Sequence, residues 1–294
     1  MTTRMGQPEH ILQQPVIQYQ NNFGIPGLSF AGQGAPENPI LLVIAAAKVG
    51  KTTLALSLND WPNVGDRPLV LAFDKVGFDS LAQFAPVAGL KVKDQPGLSI
   101  WDKTETALQS LENAFLHSKV KTPFSTIVVD CASTMIDLFL QDAMKKDFKD
   151  PRQAWGEVFK QANKVMWRLM DLNKPLVFLS WLKEGYAEVT GSGPAKRTTY
   201  KLGGAQIDGG FRAKISGVAT QILYLDKVKQ GANAPGVGAD GYVRVLHTRT
   251  YNNVEAGGRL TQYLPEPCSP NLAYVFNCIT KREVIQSGPG STAP

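Results

Sequence analysis

The chain has 294 residues, 43% of them hydrophobic and 19% charged, a globular composition with enough length to bury a sizeable core in one large domain or two small ones. The longest apolar runs, such as residues 40–47, are far too short to cross a bilayer, and residues 1–10 hold no apolar signal region, so the expected compartment is the cytoplasm and no membrane partner is expected. A net charge of +6 favours polyanionic partners, while three cysteines and three histidines without C-x-x-C spacing exclude a zinc pattern.

Residues 1–38 are rich in Gln, Asn, Pro and Gly and lack sustained periodicity, which reads as a flexible N-terminal arm. From residue 39 apolar strands alternate with helical patterns. Ile40–Ala45 is a strand and Lys51–Leu58 a helix; Pro68–Phe73 is a second strand, ending at Asp74. Thr104–His117 places Ala107, Leu108, Leu111, Ala114 and Phe115 on one helical face. Thr126–Val129 is a third strand, ending at Asp130; Ser133–Phe148 and Gln153–Leu172 are helices; Leu176–Ser180 is a fourth strand. A polar, basic, Gly-rich stretch follows over 183–204. Thr220–Leu225 and Tyr242–Thr248 are late strands separated by a loop, Asn271–Ile279 is a closing helix, and 283–294 is a flexible tail. The alternation predicts one α/β domain over 39–282, with a mostly parallel central sheet, helices on both faces and late antiparallel strands.

The most informative stretch is Pro39-Ile-Leu-Leu-Val-Ile-Ala-Ala-Ala-Lys-Val-Gly-Lys-Thr-Thr53. It is nearly the phosphate-binding loop G-x-x-x-x-G-K-[ST], with Ala45 in place of the first glycine. A strand leading through Gly50-Lys51-Thr52 into a helix aims backbone N–H groups at phosphate. The cofactor-binding residues expected are Ala46, Ala47, Lys48, Val49, Gly50, Lys51, Thr52 and Thr53, for ATP; Lys51 reaches the β- and γ-phosphates and Thr52 faces Mg²⁺. In Ser125-Thr-Ile-Val-Val-Asp130 an apolar strand delivers a carboxylate at the edge where open α/β sheets bind ligands, so Asp130 is the second expected Mg²⁺ residue. The competing reading is that Asp130 only caps the next helix. The first glycine serves a tight turn, and only a backbone needing positive φ there excludes alanine.

Residues 47–53, the acid-ended strand at Asp130 and the strand 175–181 resemble the AAA-like ATPases of phages, RecA/RadA-like P-loop NTPase cores that include the Sak-type single-strand annealing proteins. The segments 246–251, 257–260, 264–265 and 270–271 are similar to the end of such cores, so the resemblance covers roughly 38–282. It implies an ATP-binding core, acting on single-stranded DNA in recombination or replication as a homo-oligomeric ring or filament, with a single-strand-binding protein as a further partner and a host cytoplasm as its setting. It implies catalytic roles for Lys51, Asp74, Asp130 and Ser180. Two departures stand out. RecA-like cores carry a water-orienting glutamate two residues past the acid matched by Asp74; here that position is Val76, leaving Asp74 or Asp79 to replace it, or slow hydrolysis. The polar γ-phosphate sensor at the end of the fourth strand falls at Ser180-Trp181, where Trp181 is equally a packing residue.

The resemblance places the DNA-binding loop at Lys183, Lys196, Arg197, Tyr200 and Lys201, where cations track phosphates and tyrosine stacks a base. An ordinary solvated hairpin is the alternative, since Glu184 and Glu188 dilute the charge. It also implies that Arg259, or Arg249, reaches the ATP of an adjacent subunit; surface arginines are the alternative. An assembly switch with little turnover is the second functional reading, and Val76 favours it. A partition-type ATPase needs a lysine where Ala46 stands, and a small-molecule kinase needs an arginine-rich lid that the sequence does not display.

Overall fold

The computed structural model describes residues 38–59, 61–62, 67–73, 88–92, 98–117, 124–146, 148, 150–190, 197–207, 210–229, 238 and 240–281. All belong to one compact unit, 36–294. The expected arm up to residue 37 and the tail 283–294 lie outside them.

Among the described residues nine strands form one sheet, in the order β10-β9-β1-β5-β4-β2-β3 with β11 beside β9 and β8 beside β5. Its centre is parallel: β1 (Ile40–Ala45) lies between β5 (Leu176–Lys183) and β9 (Gln221–Lys229), and β4 (Phe124–Asp130) lies between β5 and β2 (Arg67–Ala72). β3 (Ala88–Lys91) extends the sheet past β2, and β10 (Tyr242–His247) and β11 (Gly257–Gly258) run antiparallel to β9. The fold is thus the mixed α/β architecture expected, a mostly parallel sheet between two helical layers.

The near-continuous apolar sequence of β1 follows from burial on both faces. Leu42 and Ile44 join one core with Ile127, Val129 and Phe178 under four helices: α2 (Ile100–Glu112), α3 (Ala132–Met144), α4 (Pro151–Asp171) and α5 (Phe211–Val218). Leu41, Val43 and Ala45 join the other, with Val128, Leu179 and Leu223, under α1 (Lys51–Leu56) and α6 (Leu272–Lys281). Each fully buried Leu, Ile or Phe contributes roughly 1.5–3 kcal/mol. Ser57 anchors α6 onto α1's end by accepting the Leu272 N–H at 2.7 Å, and Trp61 stacks on Phe276 at 4.5 Å.

Helix ends differ from the sequence expectation where caps decide them. α2 begins at Ile100 rather than Thr104 because the Ser99 hydroxyl accepts the Asp102 N–H. α4 begins at Pro151 rather than Gln153 because Asp150 accepts from Arg152 N–H and proline suits the first turn. The stretch after β5 is not a loop throughout. It forms an antiparallel pair, β6 (Tyr186–Thr190) with β7 (Arg197–Lys201), followed by β8 (Gly204–Ala205). At the base of this hairpin two backbones cross so closely that a Cβ on Gly185 would stand 2.6 Å from the Lys201 carbonyl oxygen, and one on Gly203 2.9 Å from the Gly185 nitrogen. Gly203 is also hydrogen-bonded on both sides to the turn after β10, through Asn253 O and Glu255 N.

Glu266 organises that turn's start. Its carboxylate accepts from the Thr248 N–H at 2.6 Å, the Thr248 hydroxyl at 2.7 Å and the Arg249 N–H at 3.0 Å, and meets His247 Nδ1 at 2.8 Å. Burial pushes its pKa up, but the hydrogen bonds from His247 and Thr248 outweigh this and hold it below the ordinary 4.5. The ionised carboxylate therefore stabilises the fold fully above about pH 4.5, and that contribution disappears as pH falls through the lowered folded value. Glu266→Gln should cost about 1–3 kcal/mol at neutral pH. It should also lose less stability than the parent on acidification, as read by thermal denaturation from about pH 7 to pH 3.

Candidate nucleotide-binding site

β1 ends at Ala45, which is fully buried and still paired with Trp181 on one side and Leu225 on the other. The residue that replaces the motif's first glycine is thus the last residue of a strand. The loop turns later, with positive φ at Lys48 (60°) and Gly50 (108°). Gly50 has open space where a Cβ would stand, so its conformation, not room, requires glycine. α1 starts at once, the Gly50 carbonyl accepting from Leu54 N–H at 2.8 Å. Lys51 is buried, and its ammonium donates to the loop's own carbonyls, Ala45 O at 3.2 Å and Ala46 O at 3.0 Å.

The alternation of β4 sends Ile127 and Val129 to the four-helix face and Val128 to the α1 face, which puts Asp130 on the α1 side. There the Thr52 hydroxyl donates to Asp130 Oδ2 at 3.0 Å, across 78 residues of sequence. Asp130 is buried and is not the cap of the next helix: the capping residue is Cys131, whose sulfur accepts from Thr134 N–H. Burial, with smaller help from the Asp130 charge, raises the Cys131 pKa and keeps the thiol protonated.

Ser180 is not brought to the loop. It is fully buried on the four-helix face, 2.9 Å from the Ser133 hydroxyl, and it donates to the carbonyl of Trp181. The reason is parity: Phe178 and Leu182 share Ser180's face, whereas Leu179 and Trp181 face α1. Trp181 is therefore the β5 side chain on the phosphate-loop face, while its backbone N–H donates to the Ser133 hydroxyl at 3.0 Å. The hydroxyl pair Ser133–Ser180, which ties α3's first turn to β5 beside Asp130, was visible in the sequence only as two serines next to apolar strands.

Arg259 stands at the other edge of the sheet. Its N–H donates to the carbonyl of Thr220, next to Gln221, which pairs with Leu41 at the start of β1. Four residues of strand, about 13 Å, separate that level from Ala45. The structure does not unite Arg259 with this chain's own loop. Asp74, Val76 and Asp79 lie outside the described residues, as does Lys196; of Arg197 and Tyr200 only the backbone is described, paired with Thr190 and Ala187 in the β6–β7 hairpin. Lys183 ends β5, and the Lys201 ammonium lies 5.6 Å from the Tyr186 ring centroid.

Both strands beside β1 outrun it. β5 continues two residues past Trp181 and leads into the β6–β7 hairpin, and β9 continues four residues past Leu225 and pairs with β10. Lys227, opposite Arg244, and Lys229, opposite Tyr242, share the α1 face with Leu225. Lys227 lies 4.8 Å over the Tyr242 ring, and Asp240 pairs with Arg244 at 2.7 Å. These cations were missed from sequence because alternation alone does not reveal how far a strand overshoots its neighbour.

A buried lysine at a left-handed loop, with a hydroxyl and a carboxylate oxygen in contact beside it, fits a polyphosphate and a hard divalent cation. Lys51 and the N–H groups of the 46–52 loop would hold ATP phosphates; Thr52 and Asp130 would hold Mg²⁺, directly or through water. A metal held there would neutralise phosphate charge. Among the described residues no helix is long and apolar enough to cross a membrane. A family described as "AAA domain" matches residues 37–260. No curated protein matches the chain.

Lys51→Ala should weaken binding of a fluorescent ATP analogue by at least about 100-fold. Asp130→Asn should abolish the gain that Mg²⁺ gives over chelator-treated samples while leaving metal-free binding close to that of the parent, both read by fluorescence titration.

Proposed function

We propose that this chain, which belongs to the AAA domain family, is an ATP-dependent protein that binds single-stranded DNA and serves phage recombination or replication by annealing strands as a homo-oligomer, as its resemblance to the phage ATPases implies. The AAA domain itself is a nucleotide-binding ATPase domain of the P-loop class. The observation that carries the reading is the meeting of Thr52 with Asp130 at the end of β1, beside Lys51. Such a constellation serves phosphoryl chemistry by positioning charge rather than by covalent catalysis.

The DNA assignment draws on three supports. The resemblance places the DNA-binding segment over 183–201. That segment leads off the same sheet edge as the phosphate loop. Cation–aromatic pairs occur in both hairpins at that edge, Lys201 with Tyr186 and Lys227 with Tyr242. Such pairing suits a strand whose phosphates need cations and whose bases need stacking faces. A positive net charge of +6 agrees.

Arg259 and Arg249 are both exposed, so either can serve a neighbouring copy's nucleotide, Arg259 from the edge opposite this chain's own loop. A second reading, a nucleotide-driven assembly switch with little turnover, is favoured by Val76 at the position of the water-orienting acid.

ATP turnover with and without single-stranded DNA separates the two. The leading reading expects turnover stimulated by DNA and lost in Lys51→Ala; tight ATP binding without turnover supports the switch. Replacing Lys196 and Arg197 together by alanine should lower single-stranded DNA affinity about tenfold and flatten its salt dependence by one to two ions, roughly 0.7 log units of slope per lost phosphate contact. Unchanged affinity and slope, by anisotropy at several salt concentrations, would remove this hairpin from the DNA site.

A further inference from the structure

We propose that the side chain of Lys48 is a second phosphate-binding cation of the loop, directed to the terminal phosphate of a bound nucleoside triphosphate. The inference rests on the nucleotide-site reading and goes beyond it, because the motif uses this position only through its backbone.

Three observations carry it. Lys48 has φ 60°, a left-handed conformation that glycine adopts freely and a side-chain-bearing residue does not. The loop's geometry is thus better served by glycine, and lysine stands here against its backbone preference. Second, the loop residues Ala46, Ala47 and Lys48 are exposed and Val49 is buried. The two alanines end at Cβ, so Lys48 is the exposed loop residue whose side chain extends well beyond the backbone. Third, Lys48 makes no hydrogen bond or ion pair among the described residues, whereas Lys51 is held by Ala45 and Ala46 carbonyls.

A diphosphate is already served by Lys51 and the loop N–H groups. The terminal phosphate adds charge that a flexible ammonium at the loop's turn can meet.

The test measures affinity of the full chain for ADP and for a non-hydrolysable ATP analogue, with Mg²⁺, in Lys48→Gly, Lys48→Met and Lys48→Arg. Lys48→Gly should melt at or above the parent temperature, since the strain is relieved, yet bind the triphosphate about tenfold more weakly, with ADP affinity changed less than about threefold. Lys48→Met, which keeps a long side chain without charge, should show the same selective loss, and Lys48→Arg should bind like the parent. Parent-like triphosphate binding in Lys48→Gly and Lys48→Met, or equal losses for both nucleotides, would overturn the assignment while leaving the nucleotide site intact. A parent protein that binds neither nucleotide would overturn the site itself, and this role with it.

Discussion

β1 is gripped on both sides by parallel neighbours, with Ala45 opposite Trp181 and Leu225 at the same level. The phosphate loop and the side chains beside it are placed by that register. It sets the height at which the phosphate loop leaves the sheet. It also decides, by the two-residue period of strands, which side chains of β4 and β5 stand beside the loop. Asp130 and Trp181 fall on the loop's face; Ser180 falls behind the sheet. A shift of one residue in β4 would send Asp130 into the four-helix core, where an unpaired carboxylate is costly. The contact between Thr52 and Asp130 is thus a consequence of sheet packing rather than an independent stabilising feature.

The same register makes the sheet edge uneven. Because β5 and β9 outrun β1, the loop sits in a notch between two extensions, each carrying cations and tyrosines. The β6–β7 extension is not a free arm. Gly185 and Gly203 cross at its base with no room for a Cβ, and Gly203 is bound to both sides of the turn at Asn253 and Glu255. That turn leads back to Tyr251, whose ring stacks on His247 at 3.8 Å, and His247 meets Glu266. Backbone contact and stacking therefore join the base of one hairpin to the end of β10, two residues before Arg249.

Much of this was legible in the sequence, for local reasons. Strand β1, the loop and Asp130 were readable because apolar runs closed by Gly-Lys-Thr or by Asp are contiguous signals. The cores of α2, α3 and α4 followed from helical periodicity, while their ends needed caps at Ser99 and Asp150 to be recognised. What was not legible depends on partners far away in sequence. β3 is four residues with a glycine, α5 is eight residues, and β6–β7 is mostly polar; none has enough periodicity to declare itself. The misplacement of Ser180 has the same origin. A sequence locates the end of a strand to within a residue, and one residue is the whole difference between the two faces.

This division between local and distributed information also runs through the chemistry. Binding a polyphosphate needs a loop and a lysine, both supplied by the eight consecutive residues 45–52, and there the chain departs from the motif only at Ala45, which lies inside β1. Turnover needs groups gathered from the ends of other strands: an acid after β2, a polar sensor on β5, a cation from elsewhere. At the first two of those places the chain departs from the pattern. Val76 holds no proton acceptor. On β5 the face presented to the loop is the indole of Trp181, which has one donor and no acceptor. Arg259 lies at the far edge of the sheet. Since only interactions stronger in the transition state than in the ground state accelerate chemistry, changes at the acid and sensor positions bear on hydrolysis rather than on the binding of a nucleotide.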